Sequence, residues 1–144
     1  MKRREFISLL GGAAAWPLAA YAQQSERVRR VGVLTGLADD ADTQAHMEAF
    51  LQGLAQLGWT EGRNLRMDVR WGRADVNRTR ALAQELVGLQ PDIILAGGTP
   101  VTAALQRETR TIPIVFTSAV DPVASSIVAG LNQPGGNATG FAYY

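Results

Sequence analysis

The sequence predicts an α/β fold: an open, mainly parallel sheet with helices on both faces. Three observations carry that expectation. Short apolar runs at Val31–Leu34, Ile93–Ala96 and Ile114–Thr117 have the length and composition of strands buried on both faces. Longer segments between them repeat their apolar residues at helical spacing. The two kinds of segment alternate along the chain without an internal repeat or low-complexity tract, which calls for crossover connections between parallel strands.

Ser25–Arg30 is a polar lead-in to the first strand, which Thr35 and Gly36 end. From Asp39 to Leu57, Met47, Phe50, Leu51, Leu54 and Leu57 fall on one helical face, with acidic residues in the first turn and Gly58 just past the end. Asn64–Trp71 alternates Leu65, Met67, Val69 and Trp71 with Arg66, Asp68 and Arg70, the pattern of an edge strand with one wetter face. A second helix spans Asp75 to Leu89 and is closed by Pro91. Ile93–Ala96 is the third strand, and Gly97-Gly98-Thr99-Pro100 breaks it and opens a third helix. Ile114–Thr117 is the fourth strand, and Asp121-Pro122 starts a further helix of small and apolar residues to about Leu131. Pro134–Asn137 is a turn before a fifth short strand at Ala138–Tyr143.

Ahead of this pattern, residues 1–22 read as an export signal. Lys2, Arg3 and Arg4 make a basic start, Ile7–Ala20 is apolar and uncharged, and Ala20-Tyr21-Ala22 is a small-x-small cleavage site. The apolar run is shorter than the roughly 20 residues needed to span a bilayer, which favours cleavage near Ala22 over anchoring. Arg3 and Arg4 followed by Glu5, Phe6 and Ile7 fit either a twin-arginine signal or the basic start of a general secretory one.

Cleavage there leaves one modest domain, Gln23–Tyr144, 122 of the 144 residues. It carries 11 basic and 12 acidic side chains, against 14 and 13 in the whole chain. A near-neutral domain with scattered arginines has no phosphate-tracking stripe, which argues against nucleic-acid binding. Lys2 is the sole lysine and no cysteine is present, so lysine chemistry, thiolate nucleophiles, disulfides and lipid attachment through cysteine are removed together. These features suit a periplasmic protein whose mature chain does not insert into a membrane. His46 is the only histidine and has no second ligand at metal spacing. No cofactor fingerprint, phosphate loop or nucleophile elbow occurs.

In an open parallel sheet, ligands bind outside the carboxyl ends of the strands, and three strand-to-helix junctions are candidates. At Gly97-Gly98-Thr99-Pro100 the glycines let the backbone approach a ligand, Thr99 is a good N-cap and Pro100 suits the first helical position. Free amides there suit a carboxylate or phosphate; a capped helix without a ligand fits the same residues. At Thr117–Pro122, Ser118 is a donor for an anion, and Asp121 either receives an ammonium group or caps a helix. Thr35-Gly36 offers a hydroxyl and exposed backbone. Trp71 and the aromatic end Phe141, Tyr143 and Tyr144 are candidates for an apolar pocket or for core and interface.

Taken together, the chain resembles the periplasmic substrate-binding components of bacterial ABC transporters, in the subgroup similar to tryptophan and tyrosine binders. The resemblance rests on the order and spacing of Val31-Gly32-Val33-Leu34, Leu57-Gly58-Trp59, Gly62-Arg63-Asn64, Pro91-Asp92-Ile93-Ile94, Gly98-Thr99-Pro100, Ile112-Pro113-Ile114-Val115-Phe116, Asp121-Pro122-Val123 and Pro134-Gly135-Gly136-Asn137-Ala138-Thr139-Gly140. It implies a type I periplasmic-binding fold of two lobes closing over a small amino-acid-like or organic-anion ligand, which is handed to permease subunits without chemistry. Such proteins are longer than this chain, so 23–144 is expected to be the N-terminal lobe, cut before the second, and to bind weakly or not at all alone. Thr35, Gly36, Gly98, Thr99, Pro100, Ser118 and Asp121 would face the cleft. A small exported hydrolase or isomerase and a non-functional gene fragment are the competing readings.

Overall fold

The computed structural model describes residues 27–143; residues 1–26, which include the expected export signal, and Tyr144 lie outside the described residues. Five strands, β1 (Arg29–Thr35), β2 (Leu65–Trp71), β3 (Ile93–Gly97), β4 (Ile114–Val120) and β5 (Ala138–Tyr143), form one sheet in the order β2-β1-β3-β4-β5. Every pairing is parallel. Three helices join them: α1 (Ala41–Gln56), α2 (Val76–Gly88) and α3 (Thr99–Glu108). The expected α/β architecture is therefore present, and β2 is an edge strand as its alternation predicts.

Local chemistry sets the boundaries of the helices. Asp40 caps α1, accepting hydrogen bonds from the Thr43 amide (2.9 Å) and hydroxyl (2.7 Å). These bonds, the hydroxyl's foremost, hold the Asp40 carboxyl below its ordinary pKa. The helix ends in a Schellman turn: Trp59 N–H reaches the Leu54 carbonyl and Gly58 N–H that of Ala55, with Gly58 at φ +93. Asp75 caps α2 through the Arg78 amide (2.9 Å).

The dry core lies on one face of the sheet. Leu34, Ile94, Ala96, Ile114 and Phe116 pack with Ala83 and Leu86 of α2 and Val101 and Leu105 of α3. Alternation along the strands turns Val31, Val33, Ile93, Leu95 and Val115 to the other face. Only α1 among the described helices covers that side, and Thr43 is its single buried residue; Met47, Phe50, Leu51 and Leu54 are half-buried and Leu57 is exposed.

Besides the longer β4, which runs to Val120 where the sequence expectation ends at Thr117, the structure departs from that expectation in two places. No helix forms over 122–131: the segment runs as consecutive turns, with Asp121 and Ser126 at φ 40 and 57. Ser125-Ser126, Gly130 and the Pro134-Gly135-Gly136 run bring local turn chemistry that competes with a helix. Pro122, Ile127 and Val128 are nonetheless buried, and the Gln106 side chain pins the Ile127 carbonyl at 2.7 Å. The segment thus covers the sheet without being helical. The second departure is at α3, whose N-cap is Gly98 at φ 100, not Thr99. Thr99 lies inside the first turn and its hydroxyl accepts from the Val120 amide at 3.0 Å, so that oxygen ties α3 to the end of β4.

Candidate functional site

The strand order sets where a ligand can enter. From β1 the chain crosses on one side to β2, then returns over the other side to β3, so the carboxyl ends of β1 and β3 flank a topological switch point. Helices diverge there on opposite faces and leave a crevice between them. The ladder places Trp71, Thr35, Gly97 and Thr117 side by side across four strands at this end of the sheet. Gly97 is the notch in that row. A Cβ on it would stand 3.0 Å from Thr35 Oγ1 and 3.2 Å from Thr35 Cβ, so its bare backbone opens space between the two threonines.

A cavity of about 470 Å³ sits over this row. Thr35, Gly36, Gly97, Gly98, Thr117 and Ser118 form its polar end, and Val33, Leu95, Met47, Phe50 and Trp71 its apolar walls. His46, Thr43, Leu37 and Tyr143 complete the lining, which contains no Asp, Glu, Lys or Arg. Charge on a ligand is met here by peptide dipoles, hydroxyls and one imidazole, a setting suited to a small zwitterion or anion with an uncharged remainder.

Of the seven residues expected to face the cleft, four, Thr35, Gly36, Gly98 and Ser118, meet in this cavity, together with Trp71 and Tyr143 from the aromatic pocket candidates. Thr35 is buried, and its hydroxyl accepts from the Leu37 amide at 3.2 Å. Ser118 is exposed at φ 58, and β4 carries an extra residue here against β5, since the register shifts between Phe116 and Ala119. This bulge turns Ser118 out of the ladder and into the cavity. The Gly98 amide is already engaged by the Thr117 carbonyl at 2.9 Å. The donors left at the start of α3 are the Thr99 and Val101 amides, because Pro100 has none.

Pro100 faces elsewhere. With Gly98 and Gly36 it lines a second cavity of about 500 Å³ between α2 and α3, which also holds Arg80 and Arg107. Thr99 and Asp121 line neither cavity. The Asp121 carboxylate accepts from the Ala124 amide at 3.0 Å and shapes the turn after β4. Thr43, His46, Met47 and Phe50 were not in the sequence-derived set, yet their spacing signals them: positions three, four and seven apart share one helical face, here the face of α1 over the sheet. Thr117 was detectable as the residue in register with Gly97, once the strands are aligned. Among the described residues no group of three or more His, Cys, Asp or Glu side chains is placed to hold a metal, and no helix is long and apolar enough to cross a membrane.

Comparison with known proteins places this geometry in context. A model of the ABC transporter substrate binding protein family matches residues 30–142. Among curated proteins, the chain is similar to the Tyrosine-binding protein of Clostridioides difficile (strain R20291), at 29% identity over 120 residues, or 83% of this chain and 34% of the relative. It therefore spans about a third of the length of that protein. Among solved structures, a conserved domain protein from Vibrio cholerae superposes with a TM-score of 0.74 at 34% identity, over 81% of this chain and 39% of its own. An ABC domain in complex with L-Trp from Streptococcus pneumonia shares the fold, with a TM-score of 0.72 at 23% identity over 80% and 38% of the two chains.

Proposed function

Because this chain belongs to the ABC transporter substrate-binding protein family, we propose that it is an exported solute binder whose ligand is a small amino acid or related organic anion. Residues 23–144 act as the N-terminal lobe of a two-lobed binder, and 1–22 as the signal that carries it to the periplasm. The ligand is held, without bond-breaking, and passed to permease subunits. One observation carries this reading: the cavity at the switch point combines a hydroxyl and amide end with an apolar end and contains no charged side chain of its own. Thr35 and Ser118 supply hydroxyls and Gly36 and Gly98 the close backbone approach, while Thr99 and Pro100 contribute only as the start of α3 behind Gly98, through its positive dipole end, and do not themselves line the cavity. Asp121 acts from the adjoining turn, where its carboxylate reaches an ammonium group only from outside this cavity. The relatives named for tyrosine and bound to L-Trp give the first ligands to try.

Adding millimolar L-tyrosine or L-tryptophan to the isotope-labelled chain from Gln23 tests the reading. Amide shifts are expected at Thr35–Leu37, Gly97–Thr99 and Thr117–Val120. One lobe forms half of the cleft, so binding is expected to be weak but measurable at these concentrations; shifts centred on another surface, or none with any α-amino acid or short carboxylate, would overturn the reading.

A further inference from the structure

We propose that Trp71 sets the side-chain selectivity of the cavity, its indole favouring a flat, unsaturated group on the ligand over a branched aliphatic one. The inference rests on the ligand-binding reading above and deepens it by assigning the selecting residue. Trp71 ends the edge strand and lies in register with Thr35, which in turn lies in register with Gly97. Neighbouring strands are about 4.8 Å apart, so the backbone of Trp71 stands roughly 10 Å from the Gly97 notch, measured across β1. A ligand whose charged groups sit at the polar notch directs its remaining atoms along this row. Toward β2 it meets an indole, with Met47 and Phe50 of α1 lining the same space.

The indole is also held in place from the main chain. The amide of Gly72 donates to the Thr35 carbonyl (2.7 Å), that of Arg73 to Leu37 (3.3 Å) and that of Ala74 to Gly36 (2.8 Å). Arg78 Nε closes the clamp on the Trp71 carbonyl at 2.8 Å. Arg73 and Ala74 sit at φ 53 and 56, a left-handed pair that non-glycine residues adopt only when surroundings impose it. Gly72 is buried so closely that a Cβ would stand 2.5 Å from Thr79 Oγ1. The loop carrying Trp71 is thereby bound to the loop carrying Thr35 and Gly36, and a wall fixed to the polar end discriminates better than a mobile one. Trp71 is half-buried, and among the described residues no hydrogen bond engages its indole N–H. Trp59 makes an internal control, since it lines a different cavity at the other end of the sheet.

The test compares L-tryptophan, L-tyrosine and L-phenylalanine with L-leucine and L-valine on the chain from Gln23, followed by the two indole N–H resonances and by shift titration. Aromatic ligands are expected to bind about two- to ten-fold more tightly than aliphatic ones, the scale of an aromatic pair, and to move the Trp71 resonance while leaving Trp59 in place. Trp71→Leu should reduce the preference to within about two-fold by weakening the aromatic ligands more than L-leucine and L-valine, and Trp71→Phe should keep most of it. Equal weakening of all five ligands by Trp71→Leu would make the residue structural and overturn the proposal, as would an unchanged preference. If none of the five binds the unaltered chain at all, the ligand-binding reading itself fails and the selector falls with it.

Discussion

The shortest ion pair among the described residues lies away from the candidate site, and it predicts how stability depends on pH. Arg30 Nε donates to Asp68 Oδ2 at 2.6 Å, between the first two strands on the α2 face, with the Asp68 side chain only 14% exposed. Arg30 Nη1 also reaches the Leu89 carbonyl at 3.3 Å, which ties the pair to the end of α2. The hydrogen bond from Arg30, ahead of the charge attraction, holds the Asp68 carboxyl below its ordinary pKa. A depressed carboxylate pKa stabilises the fold fully above the unfolded value of about 3.9 and loses that contribution as pH falls through the folded value. Asp68→Asn is therefore expected to cost about 1–2 kcal/mol at pH 7, with the gap between the two proteins closing below about pH 4. Urea midpoints taken across pH check this; a gap that persisted or widened in acid would assign the loss to packing. At this scale the sequence was readable where a residue type has one dominant use. Asp40 and Asp75 fall at the helix starts where the sequence expects acidic residues and serve there as caps, whereas Thr99, the expected cap of α3, does not, because Gly98 already adopts the cap conformation and the threonine hydroxyl is drawn to Val120.

Elements were legible in proportion to how strongly their hydrophobic period was stated. The strands β1, β2 and β3 and the helices α1 and α2 fall within a residue or two of the sequence expectation, since their apolar residues repeat cleanly and Gly58 and Pro91 end the helices. Small residues around Ser125-Ser126 carry no such period, and there the expected helix is replaced by turns. The bulge at Thr117 and Ser118 was invisible too, because a ladder irregularity depends on the partner strand. That partner makes its own demand at Gly140, opposite Phe116, where an added Cβ would run into the Phe116 carbonyl and its peptide nitrogen. Gly140→Ala cannot be absorbed by a rotamer change, so β5 must move off β4, at a cost of about 3 kcal/mol. Gly53 offers the opposite case. It lies in exposed α1 with nothing within 4 Å of its would-be Cβ, so Gly53→Ala should stabilise by about 0.5–1 kcal/mol. Thermal unfolding of the two variants side by side separates steric demand from backbone entropy, and similar effects from both would refute the close approach at Gly140.

At the scale of the whole sheet the described residues are packed unevenly, and its two sides should respond differently to the same substitution. On the α2 and α3 side, Leu34, Ile94, Ala96 and Ile114 are fully buried; on the α1 side Val33 is buried, but Ile93, Leu95 and Val115 are only half-buried. A parallel sheet ordinarily has both faces covered. Here α1 covers one side alone among the described helices, leaving two apolar cavities beside it that share Phe50 and Leu95. The sequence did not reveal this, because Ile93-Ile94-Leu95-Ala96 reads as equally apolar on both faces, and how far each face is covered depends on elements elsewhere in the chain. Adjacent isoleucines in β3 give a matched test: the same residue type, the same strand, opposite faces. Truncating Ile94 removes methylenes from a close-packed core that has little room to collapse, so Ile94→Ala should cost about 3–4 kcal/mol. Ile93 already borders open space, so Ile93→Ala leaves less of a new cavity and should cost about 1–2 kcal/mol. Urea unfolding of the chain from Gln23 reads both values, with slopes compared to confirm that the denatured state is unchanged. Equal losses would mean that the α1 face is covered in solution as thoroughly as the other, and the apolar walls assigned to the ligand cavity would then be core.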